Sequence, residues 1–226
     1  MNRKDEIKAA YRGLGSMHGF YDGMMLGTTG IGRFVLKHVW RMTREDALEY
    51  QAMAFAAIPE DFAGRLLEVP VGTGVLSLPV FKTMPKADIT CLDYSERMMQ
   101  TAKKRAGEKG IRNVCFRQGD VGSLPYDDEA FDVVMSLNGF HAFPDKEAAY
   151  RETFRVLKPA GTFCGCFYVQ GGCARTDWFI RHLYQPKGFF TPPYETETSL
   201  RQRLSGLYSE VSVTRVEGIG CFRCVK

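Results

Sequence analysis

The chain has little that would tie it to a membrane, a metal or a nucleic acid. No apolar run among its 226 residues is long enough to span a bilayer. The start, Met1-Asn2-Arg3-Lys4-Asp5-Glu6, carries charge with no apolar stretch behind it, so no signal peptide is expected. No basic tract stands out, and a net charge of +4 is too small to argue for a nucleic-acid partner. His18, His38 and His182 have no ligand spacing to one another. Cys221-x-x-Cys224 has no second Cys or His pair, and residues three apart on a strand point to opposite faces, so no metal site is expected. Seven cysteines, an odd number scattered through strand-like runs, argue against a disulfide framework and for a reducing compartment, with the cytoplasm as the expected location. Cys164 and Cys166 share one strand face and read as small apolar core residues. There is no internal repeat and no low-complexity segment.

What is present is an ordinary globular composition, 45% hydrophobic and 25% charged, over a length that suits a single α/β domain spanning 1–226. Residues 1–60 are expected to form a helical N-terminal cap. Ile7, Ala10, Tyr11 and Leu14 mark one helical face, Leu48, Ala52 and Phe55 another, and Thr43 with Asp46 resembles a capping start. Between these helices the glycine-rich segment Gly13 to Gly32 reads as loop or irregular structure. From Arg65 strands and helices alternate, the signature of a parallel sheet with crossovers on both faces. Strands are expected at 65–69, 88–92, 113–117, 131–136 and 161–169. Ser95 can cap a helix bearing Met99, Ala102 and Ala106, and Tyr150, Phe154 and Leu157 mark another that Lys158-Pro159-Ala160-Gly161 stops. Pro79 requires the helix after Gly74 to begin around Leu76 to Leu78. Residues 171–207, with Trp178, Tyr184, Phe189, Phe190, Pro192, Pro193 and Tyr194, form a lid-like insertion. Runs 208–216 and 219–225 close the chain as a hairpin at Gly218, adding an antiparallel edge strand.

The most informative stretch is Leu66-Leu67-Glu68-Val69-Pro70-Val71-Gly72-Thr73-Gly74-Val75-Leu76. It reads as a buried strand that ends in a carboxylate and enters a tight turn, where glycine lets a ligand approach the backbone. Two further acids close later strands, Asp93 after Asp88-Ile89-Thr90-Cys91-Leu92 and Asp120 in Gln118-Gly119-Asp120-Val121. In open α/β sheets ligands bind beyond such strand ends. Asp93, nineteen positions after Gly74, can accept the hydroxyls of a ribose. A pyrophosphate site wants G-x-G-x-x-G, but here Ser77 stands in place of the third glycine and Glu68 just before the loop would repel phosphate. A ligand with an ammonium and a sulfonium suits that carboxylate, and S-adenosylmethionine has both. Asp120 could accept from an adenine amino group, with Val121 supplying a backbone N–H.

These motifs resemble the class I S-adenosylmethionine-dependent methyltransferases, specifically the small-molecule group that includes ubiquinone and menaquinone C-methyltransferases. The resemblance covers about residues 60 to 170. It rests on Glu68-Val69-Pro70-Val71-Gly72-Thr73-Gly74, Asp93-Tyr94-Ser95 with Met98, and Gly119-Asp120-Val121 with Leu124-Pro125-Tyr126. Phe131-Asp132-Val133-Val134 and Arg155-Val156-Leu157-Lys158-Pro159-Ala160-Gly161-Thr162 complete it. It implies a seven-stranded Rossmann-like α/β sheet, mostly parallel with an antiparallel last strand. It also implies a cofactor-binding core at 61–170 and a hairpin at 208–226. Contact with S-adenosylmethionine is carried over to Glu68, Val69, Pro70, Gly72, Thr73, Gly74, Asp93, Tyr94, Met98, Asp120, Val121 and Asn138.

Pro70 departs from the family, replacing the usual first glycine of the loop, and Ser136-Leu137-Asn138-Gly139-Phe140-His141-Ala142-Phe143 matches no specific acceptor motif. His141 follows the fourth strand toward the cleft and is the candidate catalytic base, with a histidine satisfying a loop carbonyl as the alternative. Asp132 begins a strand and is expected to be structural. Tyr21 and Trp40 could line the methionine end of the pocket or pack in the core. The implied activity is methyl transfer by in-line displacement to a small, partly apolar acceptor, with no metal. A catalytically silent adenosylmethionine-binding regulatory protein and an NAD-dependent oxidoreductase stand as alternatives. The acceptor and the oligomeric state are not encoded legibly.

Overall fold

A computed structural model describes residues 18–226, so the expected face at Ile7, Ala10, Tyr11 and Leu14 lies outside the described residues, as does the Tyr21 side chain. Seven strands form one sheet in the order β3-β2-β1-β4-β5-β7-β6. They are β1 (Arg65–Glu68), β2 (Asp88–Asp93), β3 (Val114–Gln118), β4 (Phe131–Leu137), β5 (Leu157–Tyr168), β6 (Glu210–Val216) and β7 (Ile219–Val225). β1 through β5 pair in parallel, and β7 runs antiparallel between β5 and β6. The antiparallel strand is therefore not the edge that the sequence suggests. The hairpin folds back so that β7 pairs with β5 and β6 takes the rim.

Side chains alternate across the sheet because successive strand residues face opposite sides. Leu66, Val133, Met135, Cys164, Cys166 and Cys221 join one core, while Leu67, Val134, Phe163, Phe167 and Cys224 join the other. This parity puts Cys221 and Cys224 on opposite faces and Cys164 and Cys166 on the same one, as their spacing requires. At the start of the sheet, Asp132 holds Lys158 at 2.7 Å and accepts the Arg65 N–H at 2.8 Å, a strap among β1, β4 and β5. It is structural.

Within the described part of the glycine-rich segment, 18–25 and 30–32 are helical, contrary to the loop expected there, 26–29 form the turn between them, and 13–17 lie outside the described residues. α1 (His18–Met25) and α2 (Gly30–His38) form a pair in which a Cβ on Gly32 would sit 2.0 Å from the Gly23 carbonyl oxygen. Glycine is present because the two backbones touch, and Thr29 caps α2 by accepting from the Gly32 N–H. α3 (Arg44–Phe55) starts with the expected box, Thr43 and Asp46 bonding reciprocally. Its buried stripe is Ala47, Tyr50 and Ala54, and Leu48 is exposed, so the face read from Leu48, Ala52 and Phe55 is displaced by somewhat more than a third of a turn.

α4 (Leu78–Phe81) begins after Ser77 with Pro79 in its first turn, and α5 (Glu96–Glu108) is capped by Ser95. α6 (Lys146–Arg155) ends at its Val156 cap, and Leu157 already belongs to β5 rather than to the helix. The 171–207 segment divides in two. α7 (Ala174–Phe179) and a π-helical turn at Ile180–Tyr184 lead to the aromatic residues near the site. α8 (Glu197–Ser205) buries Leu200 and Leu204 in the second core, as a crossover helix rather than part of a lid.

Candidate functional site

β1, β2 and β3 step to one side of the sheet and β4 returns to the other side of β1, so strand order reverses between β1 and β4. A cleft opens at the carboxyl ends of these strands. Glu68, Val69, Pro70, Gly72, Thr73, Gly74, Asp93, Tyr94, Met98, Asp120, Val121 and Asn138 all line it. Met25, Leu76, Ser77, Ser95, Ala142 and Phe143 line it as well, and the sequence did not single them out as contacts.

Glu68 closes β1 and is 1% exposed. Its Oε2 accepts from the Ser77 hydroxyl at 2.8 Å and from the Cys91 thiol at 3.7 Å. Burial pushes its carboxyl up to about 8 against the pull of these donors, so the site stores an acid that a neighbouring cation would ionise. Ser77, which occupies the place of a third glycine, is thus the hydroxyl that holds the strand-end acid.

Asp93 ends β2, where its Oδ2 accepts the Gly72 N–H at 2.8 Å and its Oδ1 accepts the Ser95 N–H at 2.7 Å. It joins the glycine loop to the start of α5. Each carboxylate oxygen keeps a second acceptor direction. Burial raises this acid to about 6 although both N–H groups favour its charged form.

The loop between them turns through Gly72 at φ +56° and Gly74 at φ +66°, the left-handed conformation that favours glycine. A Cβ on Gly72 would meet nothing within 4 Å, whereas one on Gly74 would strike Leu78 at 2.5 Å. The first glycine keeps the cleft open and the second lets α4 approach. The Val69–Pro70 peptide is cis. Asp120 stands just past β3, not on it, and accepts the Gly122 N–H at 2.9 Å in a tight turn beside buried Val121.

A second cavity adjoins the first. Its walls are Met24, Met25, Leu36, Trp40, Met42, Tyr50, Asn138, His141, Tyr184, Phe189, Phe190 and Ile219. Among these described residues none is acidic, and His141 is the one imidazole. Met25 and Asn138 line both cavities. Asn138 follows β4 at φ +55°, its N–H donates to the Cys166 carbonyl at 2.7 Å, and its Nδ2 is buried without a hydrogen-bond partner among the described residues.

His141 is stacked on Phe190 with ring centroids 4.2 Å apart, and its Nδ1 accepts the Tyr168 N–H at 3.4 Å. Burial holds the imidazole down to about 3. Trp40 lies in the second cavity rather than at the first, and Tyr194 packs behind it against Tyr168 at 5.4 Å.

A family model described as a methyltransferase domain matches residues 61–187, more than half of the chain. The demethylmenaquinone methyltransferase of Thermus thermophilus is 37% identical over 97 residues, 43% of this chain and 44% of that protein. The uncharacterized methyltransferase YcgJ of Bacillus subtilis is 33% identical over 138 residues, 61% of this chain and 53% of its own. The chain thus spans about half the length of the curated relatives it matches.

The crystal structure of YcgJ superposes with a TM-score of 0.62 at 25% identity, covering 74% of this chain and 71% of that one. An S-adenosylmethionine-dependent methyltransferase from Thermotoga maritima shares the fold over 92% of this chain and 99% of its own, with a TM-score of 0.65 and 20% identity. With its glycine loop, acidic strand ends and sheet order, the chain belongs to the methyltransferase domain family, within the class I S-adenosylmethionine-dependent methyltransferases.

Proposed function

We propose that this protein transfers the methyl group of S-adenosylmethionine to a small, partly apolar acceptor in the cytoplasm. The observation that carries the reading is the meeting, at Asn138 and Met25, of a cleft that holds the strand-end acids and a cavity walled by aromatic and methionine side chains with no acid among its described residues. Two reactants brought to one junction react as if at high effective concentration, and exclusion of water aids the displacement.

The residues present fit the cofactor. Gly72 keeps open space where a Cβ would project, and Asp93 holds acceptor directions free at the strand end. In this reading Asp93 receives the ribose hydroxyls, while Asp120 and Val121 receive the adenine. Glu68, the glycine loop and Asn138 surround the methionine end. When bound, the sulfonium supplies an activated methyl group for in-line displacement.

The second cavity is the acceptor site in this reading. Its methionine, tryptophan and phenylalanine walls favour an apolar body, and the unpartnered Asn138 Nδ2 favours an acceptor that presents an oxygen or another hydrogen-bond-accepting atom. The name of the Thermus relative points to an acceptor of the same partly apolar kind.

His141 serves this site as a neutral wall. With Nδ1 accepting from Tyr168, the ring proton resides on Nε2, and an imidazole near 3 is a poor base. The nucleophilic lone pair then comes from the acceptor itself. At saturating cofactor, turnover should therefore show no limb near the ordinary histidine value of about 6.5 that belongs to His141. A pH–rate profile that falls as a single group protonates near 6.5, and loses that limb in His141→Gln, would restore His141 as the base.

The seven thiols are free, six of them buried in the fold, which supports the reducing compartment. Among the described residues no helix is long and apolar enough to cross a membrane. The functional test is incubation with methyl-labelled S-adenosylmethionine and a metabolite extract. Label in a small, organic-extractable molecule is expected. Label that stays in the cofactor with every fraction would favour the silent, ligand-binding alternative.

A further inference from the structure

One side chain ties the first helix to the loop that lines the cofactor cleft. Asp22, midway along α1, accepts a 2.6 Å hydrogen bond from the Thr73 hydroxyl at Oδ1. Its Oδ2 pairs with the Arg105 guanidinium of α5, and the other arm of Arg105 donates to the Thr73 carbonyl. The Arg105 and Asp22 side chains are only 19% and 13% exposed, so removing one partner leaves a largely desolvated charge behind.

Thr73 sits between the two left-handed glycines, and the Gly72 N–H runs on to Asp93. A continuous polar path thus links α1, the glycine loop and the strand-end acid placed at the ribose. The same helix carries Met24 and Met25, of which Met25 lines both cavities and Met24 the second. Through the Gly23–Gly32 crossing it also seats α2, whose Leu36 lines the second cavity. At 8 residues α1 is too short to be stable alone in water, so its docking depends on these contacts.

We infer that Asp22 is a positioning residue: its clamp on Arg105 and Thr73 docks α1 in step with the glycine loop. The methionine wall of the second cavity then depends on the same clamp that holds the glycine loop of the cleft. The inference rests on the reading that the cleft holds S-adenosylmethionine. A ligand that holds the loop biases α1 toward the docked state, and docking must strengthen that ligand's binding by the same factor.

The test is hydrogen exchange across residues 18–38 of the full chain, with and without adenosylhomocysteine, together with its Kd. In the wild type the ligand is expected to slow exchange across α1 by about fivefold or more, the lower range of a coupling between sites. Asp22→Ala should lose that ligand-dependent protection and weaken adenosylhomocysteine by a similar factor. Asp22→Asn, which keeps an acceptor for the Thr73 hydroxyl and loses the charge, should lie between. Combining Asp22→Ala with Arg105→Ala should add little to either single change, because the two share one clamp.

If adenosylhomocysteine binds the wild type but leaves α1 exchange unchanged, this inference is overturned while the cofactor reading stands. If adenosylhomocysteine does not bind the wild type at all, the cofactor reading itself fails. Equal ligand-dependent protection in the wild type and in a folded Asp22→Ala variant would also overturn the clamp.

Discussion

Glu68 and Asp93 hold their protons more tightly in the folded protein than their ordinary values allow, at about 8 against 4.5 and about 6 against 3.8, both through burial. Stability from these protons is therefore complete in acid. It is lost as pH rises through about 4 toward 8, at up to about 1.4 kcal/mol per pH unit for each group. Glu68→Gln keeps an acceptor for Ser77 without the ionisation. In urea denaturation the variant should match the wild type near pH 4 and exceed it at pH 8, and an unchanged pH slope would remove Glu68 as its source. An ammonium or sulfonium beside Glu68 favours the charged form, so cofactor binding should release a proton and tighten as pH climbs toward 8. Calorimetry in buffers of different ionisation heat reads that proton directly.

At this scale the sequence was informative where a residue's role follows from its own place on a strand. Glu68 and Asp93 end strands, so their common cleft was legible, and Asp120 lies in the turn just beyond one. Ser77, which holds Glu68 across nine positions, and Arg105, which holds Asp22 across 83, were not. Their roles depend on how distant segments meet, and neither residue has a local pattern that announces a partner.

Elements built from strong local signals matched their expectation closely. The caps at Thr43 and Ser95 and the strand alternation from Arg65 to Val225 are examples. Two helices were missed because glycine in a helix interior is unfavourable by about 1 kcal/mol relative to alanine, which makes Gly19, Gly23, Gly30 and Gly32 look like loop. That loss is offset where Gly23 and Gly32 bring two backbones together, a relation invisible to a local reading. Gly32→Ala tests it. Alanine would raise intrinsic helix propensity, yet its Cβ would lie 2.0 Å from the Gly23 carbonyl oxygen, so α1 and α2 must part. The variant should melt lower and expose α1 to protease. A higher melting temperature would show that the crossing does not govern these helices.

Across the whole molecule, parallel pairing from β1 to β5 brings five strand ends to one side, and the reversal between β1 and β4 places a cleft there. β5 approaches β4 closely at one point. Gly165 of β5 has φ +153°, and a Cβ there would lie 2.0 Å from the Ser136 carbonyl oxygen of β4. Gly165→Ala should therefore force β4 from β5 behind Asn138, lowering stability and ligand affinity together. Wild-type stability and affinity in that variant would contradict the pairing that sets the junction. The second cavity was illegible because its walls come from α1, α2, α3, the turn after β4, residues 184–190 and β7, which are spread along the sequence and share no motif.

The claim on which the rest depends is that the cleft recognises an adenosylmethionine-type ligand through Asp93. The direct test is calorimetric titration of the wild type and Asp93→Ala with adenosylhomocysteine and with NAD. The wild type should bind adenosylhomocysteine and not NAD. A folded Asp93→Ala protein should bind adenosylhomocysteine more weakly by about 1–3 kcal/mol, the range for a lost charge-assisted hydrogen bond. NAD binding without adenosylhomocysteine binding, or undiminished affinity in Asp93→Ala, would contradict it.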